Sequence, residues 1–256
     1  LRSSRLTILY VLARTAVDTL RISIATIVDA RRGRLSREDG DARLRWWSNR
    51  LLDHAGVRRT THNPGSIALE PGRPNIVMCN HSSLYDIPLT FVSLGGCIRM
   101  LTKRELFAIP LWGRGMEEAE FIAIDRSDHD RALDDLERAK EKMSSGICLW
   151  VAPEGTRSKD GSIGDFKKGG FMLALQTGAL VIPVGIRGAH RVLPAGTFSL
   201  ELGHEIEVHI GAPIDAADYT VETRGELMAA VRTAIIGLAG MDDETVEPAT
   251  ASATAR

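Results

Sequence analysis

The sequence predicts an α/β fold with a central, largely parallel sheet flanked by helices. Two patterns predict it. Short apolar runs recur at Ile76–Cys79, Ile98–Leu101, Phe121–Ile124, Ile147–Val151, Leu180–Ile186 and Ile206–Ile210, each the length of a buried strand. Longer helical stretches separate several of them: Leu84–Leu94, His129–Met143, Lys168–Thr177 and Val221–Leu238. Strands that alternate with helices return in parallel, so both faces of the sheet are covered. At 256 residues the chain is long enough for one full core. We divide it into an N-terminal helical, membrane-associating segment (1–56), an α/β catalytic domain (57–240) and a disordered tail (241–256).

The elements follow in order. Leu6 to Val28 is rich in Leu, Ile, Val and Ala. At helical pitch Thr7, Arg14, Asp18, Arg21 and Asp29 fall on one narrow stripe, and the rest of the circumference is almost wholly apolar. Its length would permit a membrane span, but each central charge costs roughly 2.5–3.5 kcal/mol at the bilayer centre. Pairing of Asp18 with Arg14 or Arg21 reduces that cost without removing it. Two readings remain: an amphipathic helix with one side against lipid, which is favoured, or an ordinary core helix. Ser36-Arg37-Glu38-Asp39 then supplies an N-cap and early acids for a second helix, which runs through Trp46-Trp47 to near Gly56. The tryptophan pair suits either a core or an interface anchor. Met241 to Arg256 lacks apolar period. The chain begins at Leu1, which leaves open a targeting segment ahead of it.

Composition excludes some functions. A net charge of −1 gives no global field to recruit nucleic acid, so any anion must be bound locally. Cys79, Cys97 and Cys148 lie in apolar surroundings without CxxC spacing and read as buried thiols of a reducing compartment. The seven histidines are scattered and no pair has HExxH spacing, so a metal role is open but nothing in the sequence supports it, and no metal ligand is assigned.

The chemistry gathers where strands end. His81 follows the run Ile76–Cys79, and Asp86 stands five positions on, near the start of the next helix, which Ser82 or Ser83 can cap. Such a pair offers a general base and a carboxylate to fix its tautomer. The blander alternative is a satisfied loop histidine beside a helix-dipole aspartate. A second cluster, Pro153-Glu154-Gly155-Thr156-Arg157-Ser158, follows Ile147–Val151. Gly155 lets backbone amides approach a ligand, and Arg157 offers a planar fork for phosphate oxygens. Lys103 and Arg126 add cations at two further strand ends, and Lys167-Lys168 open another helix. Glu154 is expected to orient Arg157 or to accept a hydrogen bond from a substrate hydroxyl.

Together these motifs resemble the glycerolipid acyltransferases, most closely the lysophosphatidic acid (1-acyl-sn-glycerol-3-phosphate) acyltransferases. The NHxxxxD motif is matched by Asn80, His81 and Asp86, the Pro-Glu-Gly-Thr-Arg-Ser block by Pro153 to Ser158, and a Val-Ile-Pro-Val run by Val181 to Val184. Lys103-Arg104-Glu105-Leu106 with Pro110 and Gly113, and Phe166-Lys167-Lys168-Gly169, also match. One motif departs: the family shows a glycine and a phenylalanine ahead of an acidic-Arg pair, where this chain has Glu120, Ala123 and Asp125-Arg126. Ala152 likewise stands where a phenylalanine often precedes the Pro-Glu-Gly block. The resemblance covers about residues 57 to 215.

The resemblance implies that His81 activates a lysophospholipid hydroxyl, with Asp86 holding its imidazole. The hydroxyl then attacks an acyl thioester on coenzyme A or acyl carrier protein, a co-substrate and not a cofactor. It implies that Lys103, Arg126, Glu154, Gly155, Thr156 and Arg157 bind the phosphate and head group. Attachment would be peripheral, at the cytoplasmic face of the membrane. Lysophosphatidic acid is the expected acceptor, with another lysophospholipid or glycerol-3-phosphate as alternatives. A non-catalytic lipid-binding protein is a further alternative, and so is a hydrolase using Ser82 or Ser83. Side chains of adjacent residues on extended backbone point apart, which disfavours the hydrolase, and no GxSxG elbow is present.

Overall fold

The computed structural model describes residues 4–124, 129–197 and 199–241, without the side chains of 129–133. The helices are α1 (Arg5–Arg31), α2 (Arg37–His54), α3 (Asp86–Leu94), α4 (Trp112–Glu118), α5 (His129–Ser144), α6 (Lys168–Thr177) and α7 (Arg224–Ala239). The strands are β1 (Arg58–His62), β2 (Asn75–Cys79), β3 (Ile98–Lys103), β4 (Ile122–Ile124), β5 (Cys148–Val151), β6 (Leu180–Arg187), β7 (Glu205–Ile210) and β8 (Ile214–Asp215).

The strands form one sheet in the order β1-β7-β6-β2-β5-β3-β4. From β6 to β4 every pair is parallel. β7 and β8 both run antiparallel to β6, and β1 runs parallel to β7. Alternation along each strand sends side chains to opposite faces. Val77 and Cys79 of β2 join a core with α2 and α3, through Leu44, Leu51, Leu52, Leu89 and Phe91. Ile76 and Met78 join the opposite core with α5, α6 and α7, through Met143, Phe171, Leu173, Val231 and Ile235. The result is three layers with the sheet in the middle.

Both N-terminal helices start as their sequences require. The Ser4 hydroxyl accepts from the Thr7 amide at 3.1 Å, and Ser36 with Asp39 forms a capping box. Val11 of α1 and four α2-side residues (Leu44, Leu51, Leu52 and Ala55) belong to the same core as β2 and α3. The polar side of α1 faces the protein. Asp18 is buried and pairs with α2, accepting from His54 Nε2 at 2.7 Å and Arg50 Nε at 3.1 Å. The expected pairing with Arg14 or Arg21 is therefore corrected: Arg14 bonds the Tyr10 hydroxyl and Arg21 lies over the Trp46 ring. Trp47 donates its indole N–H to Thr19 at 2.9 Å. Small residues let α4 come close: a Cβ on Gly115 would stand 2.8 Å from the Ser23 Cβ.

The opposite side of α1 is exposed and apolar. Leu6, Leu9, Tyr10, Val17, Leu20 and Ile24 follow the i, i+3, i+4, i+7 spacing of one helical stripe, and Leu6 is 79% exposed. No described helix is long and apolar enough to cross a membrane.

Candidate active site

Strands β2, β5, β3 and β4 lie side by side and run in parallel, so their carboxyl ends share one edge of the sheet. His81 follows β2, the 153–158 block follows β5, and Lys103 is the last residue of β3. The chain leaves β2 toward α3 on one face and leaves β5 toward α6 on the other. A crevice opens where successive connections leave to opposite faces, and open α/β sheets bind ligands there. Arg126 lies outside the described residues, although β4 ends two positions before it at this same edge.

His81 and Asp86 are in contact. His81 Nδ1 stands 2.9 Å from Asp86 Oδ2, which also accepts the backbone N–H of Ser82 and of Ser83, each at 2.8 Å. A carboxylate oxygen here can only accept, so Nδ1 carries the hydrogen, and in the neutral imidazole the lone pair is on Nε2. Asp86 is fully buried, whereas 12% of the His81 side chain reaches solvent. Three donors offset the cost of burying that carboxylate. Its other oxygen, Oδ1, is buried without a hydrogen bond among the described residues.

The helix start uses the serines only in part. The N-cap of α3 is Tyr85, whose own side chain makes no capping bond, and the Ser83 hydroxyl accepts the Tyr85 N–H at 3.3 Å. Asp86, the first helical residue, folds back to accept both serine amides. The Ser83 hydroxyl is turned to the Leu193 carbonyl, and no hydrogen bond joins either serine hydroxyl to His81 among the described residues. Neither serine hydroxyl is therefore hydrogen-bonded to a base as an activated nucleophile would be.

Two further residues lock the histidine, and neither role was legible in the sequence. Asn80 is buried and bonds both the N–H and the C=O of Ile186, tying the end of β2 to the end of β6. The Glu154 carboxylate is also buried. One oxygen accepts the His81 backbone N–H and the other the Gly164 N–H, each at 2.9 Å. Burial pushes its pKa above the usual carboxylate range, while the two amides pull it down. The His81 carbonyl in turn accepts the Ser158 N–H at 2.7 Å. Glu154 therefore clamps the 153–164 loop against the histidine and bonds neither Arg157 nor open solvent, unlike the head-group role expected from the sequence. The only prior signal was an acid wedged between Pro153 and Gly155 just after a buried strand. Trp150 places its ring edge-on to His81 with centroids 5.3 Å apart and bonds Thr90 through Nε1.

The remaining predicted residues lie along the same rim. Gly155 has φ +76, and its N–H bonds the Ala152 carbonyl in a tight turn. Thr156 and Lys103 are exposed and Arg157 is half-buried. No hydrogen bond or ion pair engages the Lys103 or Arg157 side chain among the described residues, which leaves both cations available to an anion.

A family model described as acyltransferase matches residues 58–187, just over half of the chain. This chain belongs to the acyltransferase family. A chloroplastic 1-acyl-sn-glycerol-3-phosphate acyltransferase of Arabidopsis thaliana is 36% identical over 141 residues, covering 55% of this chain and 39% of that protein. One from Pseudomonas aeruginosa is 33% identical over 142 residues, covering 54% and 52%. The chain thus spans about two fifths to one half of the length of these relatives. The crystal structure of the 1-acyl-sn-glycerophosphate (LPA) acyltransferase from Thermotoga maritima aligns with a TM-score of 0.77 at 26% identity, covering 91% of this chain and 93% of that one. The α/β acyltransferase fold read from the sequence is the fold observed.

The structure also accounts for the departure at Glu120 from the acyltransferase pattern. Glu120 sits at φ +64, a conformation that favours glycine. Its carboxylate is held by Arg37 at 2.8 Å and by Lys142 at 3.0 Å. These cations lower its pKa to about 2 and offset the backbone strain.

Proposed function

We propose that this acyltransferase moves a fatty acyl group from a thioester, on coenzyme A or acyl carrier protein, to the free hydroxyl of lysophosphatidic acid, giving phosphatidic acid. The observation that carries the reading is the His81–Asp86 pair at the same sheet edge as Lys103 and Arg157, two cations with no side-chain partner among the described residues. His81 Nε2 takes the proton of the acceptor hydroxyl as the oxygen attacks the thioester carbon. The C–S bond then breaks, and the departing thiolate recovers that proton from the imidazolium. Asp86 stabilises the imidazolium in between. Such base catalysis contributes about 10²- to 10⁴-fold, and positioning by the Glu154 and Asn80 contacts adds to it. Arg157 and Lys103, with Arg126 from the neighbouring strand end, hold the acceptor phosphate by charge-assisted hydrogen bonds. The relatives named for 1-acyl-sn-glycerol-3-phosphate support this acceptor over glycerol-3-phosphate.

The exposed apolar stripe of α1 supports peripheral attachment to a membrane, from which a lysolipid enters. Contiguous apolar surface of this kind marks an interaction site. Arg21 over Trp46 beside the stripe provides the cation and indole typical of a headgroup boundary. Attachment at the cytoplasmic face is part of the same proposal.

The deciding experiment presents purified protein with labelled acyl-CoA or acyl carrier protein and a panel of lysophosphatidic acid, other lysophospholipids and glycerol-3-phosphate. Labelled phosphatidic acid, formed only when thioester and acceptor are both present, is the expected product. Release of free fatty acid, or labelled protein in place of labelled lipid, overturns direct transfer.

A further inference from the structure

Histidines that look scattered in the sequence meet at the far edge of the sheet. Parallel pairing of β1 with β7 sets His62 directly opposite His209, 147 residues away. Glu207 lies two residues before His209 and so projects from the same face. The two imidazoles stack with centroids 4.3 Å apart and an interplanar angle of 12°. Glu207 Oε2 stands 2.9 Å from His209 Nε2. One ligand atom from each of the three residues lies within 4.8 Å of the others.

We propose that His62, Glu207 and His209 form a surface site for a divalent borderline metal of the zinc class, which clips the edge strand β1 to β7. Neutral imidazole nitrogens with one carboxylate suit Zn²⁺, Cu²⁺ or Ni²⁺, and disfavour Mg²⁺ and Ca²⁺, which prefer all-oxygen shells. A tetrahedral ion with metal–ligand bonds of about 2.0–2.1 Å holds its ligand atoms roughly 3.3 Å apart. The His209–Glu207 pair is already near that separation, and the stacked rings reach it by tilting about their side-chain bonds. Water completes the shell. Strand pairing fixes both backbones, so little ordering remains to oppose binding. The His62 side chain makes no hydrogen bond among the described residues, so coordination displaces no partner from its ring. Glu207 has a supporting group as well: Arg187 Nη1 lies 3.6 Å from Oε2, and the same guanidinium caps α7 through the Leu238 carbonyl at 2.9 Å. Outer contacts of this type orient a ligating carboxylate.

The site stands apart from acyl transfer. β6 and β7 separate β1 from β2, and at about 4.8 Å per strand His62 is roughly 14 Å along the sheet from the strand that bears His81. All five residues of β1 are exposed and none joins a core, so beyond its backbone ladder and the Arg58–Glu205 and Thr61–Ser93 contacts a bound metal would add a further tie. The proposal is independent of the acyl acceptor.

The test is calorimetric titration of the untagged full chain with Zn²⁺ and with Mg²⁺, together with Co²⁺ absorption spectra and melting temperatures. Expected are one equivalent of Zn²⁺ bound, a tetrahedral Co²⁺ spectrum, and a melting temperature that rises with Zn²⁺ but not with Mg²⁺. His62→Ala, His209→Ala and Glu207→Gln should each weaken binding by at least about 10-fold while acyl transfer stays unchanged. These side chains are at the surface, and His62→Gln serves where the alanine variant folds poorly. No Zn²⁺ binding below about 100 μM overturns the site. Equal binding by wild type and the histidine variants overturns it too, since the metal then sits elsewhere.

Discussion

Replacing Glu154 by glutamine distinguishes a head-group ligand from a clamp on His81, the proposed general base. In the structure the carboxylate serves two backbone donors, His81 N–H and Gly164 N–H. Glutamine keeps one carbonyl oxygen but turns an NH₂ toward the other amide. One bond to a charged acceptor is lost, worth about 1.5–3 kcal/mol, and a buried donor is left facing a donor. Relief of the buried charge, whose pKa burial already raises, returns part of this. The net cost is then about 1–3 kcal/mol, which lowers the melting temperature of a domain this size by roughly 2–10 °C. A displacement of His81 by as little as 1 Å costs about 10²-fold in rate. Glu154→Gln should therefore lower kcat by about 10- to 100-fold, with the KM for lysophosphatidic acid changed less than about 3-fold. Steady-state acyl transfer with varied acceptor, alongside a thermal melt, reads both quantities. The pH dependence of stability carries a sign as well. A raised folded pKa gives stability that is complete below the ordinary value of 4.5 and is lost as pH rises through the raised one, and Glu154→Gln abolishes this slope. An unchanged kcat and melting temperature with a tenfold higher acceptor KM would refute the clamp and restore the head-group role.

Other perturbations address the remaining parts. Asp86→Asn keeps the shape but makes three charge-assisted bonds neutral and frees the imidazole tautomer, so kcat should fall by about 10²- to 10⁴-fold at a retained fold; activity within threefold of wild type contradicts the dyad. Arg157→Ala should raise the KM for the phosphorylated acceptor by about 10- to 100-fold and leave that for the thioester nearly unchanged; equal effects on both substrates remove the phosphate assignment. The Glu120 pKa is lowered from 4.5 to about 2, so its ion pairs contribute stability above pH 4.5 that is lost as pH falls toward 2. Glu120→Gln should flatten that acid limb in pH-dependent denaturant melts, and an unaltered limb counts against the Arg37 and Lys142 pairing. Leu9→Glu with Val17→Glu places charge on the exposed stripe of α1 and should abolish co-flotation with anionic vesicles; undiminished flotation discards the membrane face.

Much of the fold was written locally. Ile76–Cys79, Leu180–Ile186 and Ile206–Ile210 are strands because their apolar side chains must be buried within a few residues, and Lys168–Thr177 is a helix over its predicted length. Strand β1 was not legible, because Arg-Arg-Thr-Thr-His has no apolar alternation: it is held through backbone pairing at a charged edge. The short helix α4 was missed for a related reason, as its glycines have low helix propensity and its place depends on close approach to α1.

The sequence by itself determined the family, and it singled out the His81–Asp86 pair and the strand ends beside Lys103 and Arg157, since each rests on residues near one another along the chain. Spacing alone was enough to put Asp86 within reach of His81. Tertiary structure decided whatever depends on partners distant in sequence. It turned Glu154 from a presumed ligand into a clamp, 73 residues from the histidine it holds. It paired Asp18 with α2 in place of its own helix and so left the apolar side of α1 exposed. It also brought His62 against His209 across a strand pair that no local pattern announces. The physical reason is common to all three: burial and strand pairing set which polar groups meet, and both are properties of the packed sheet.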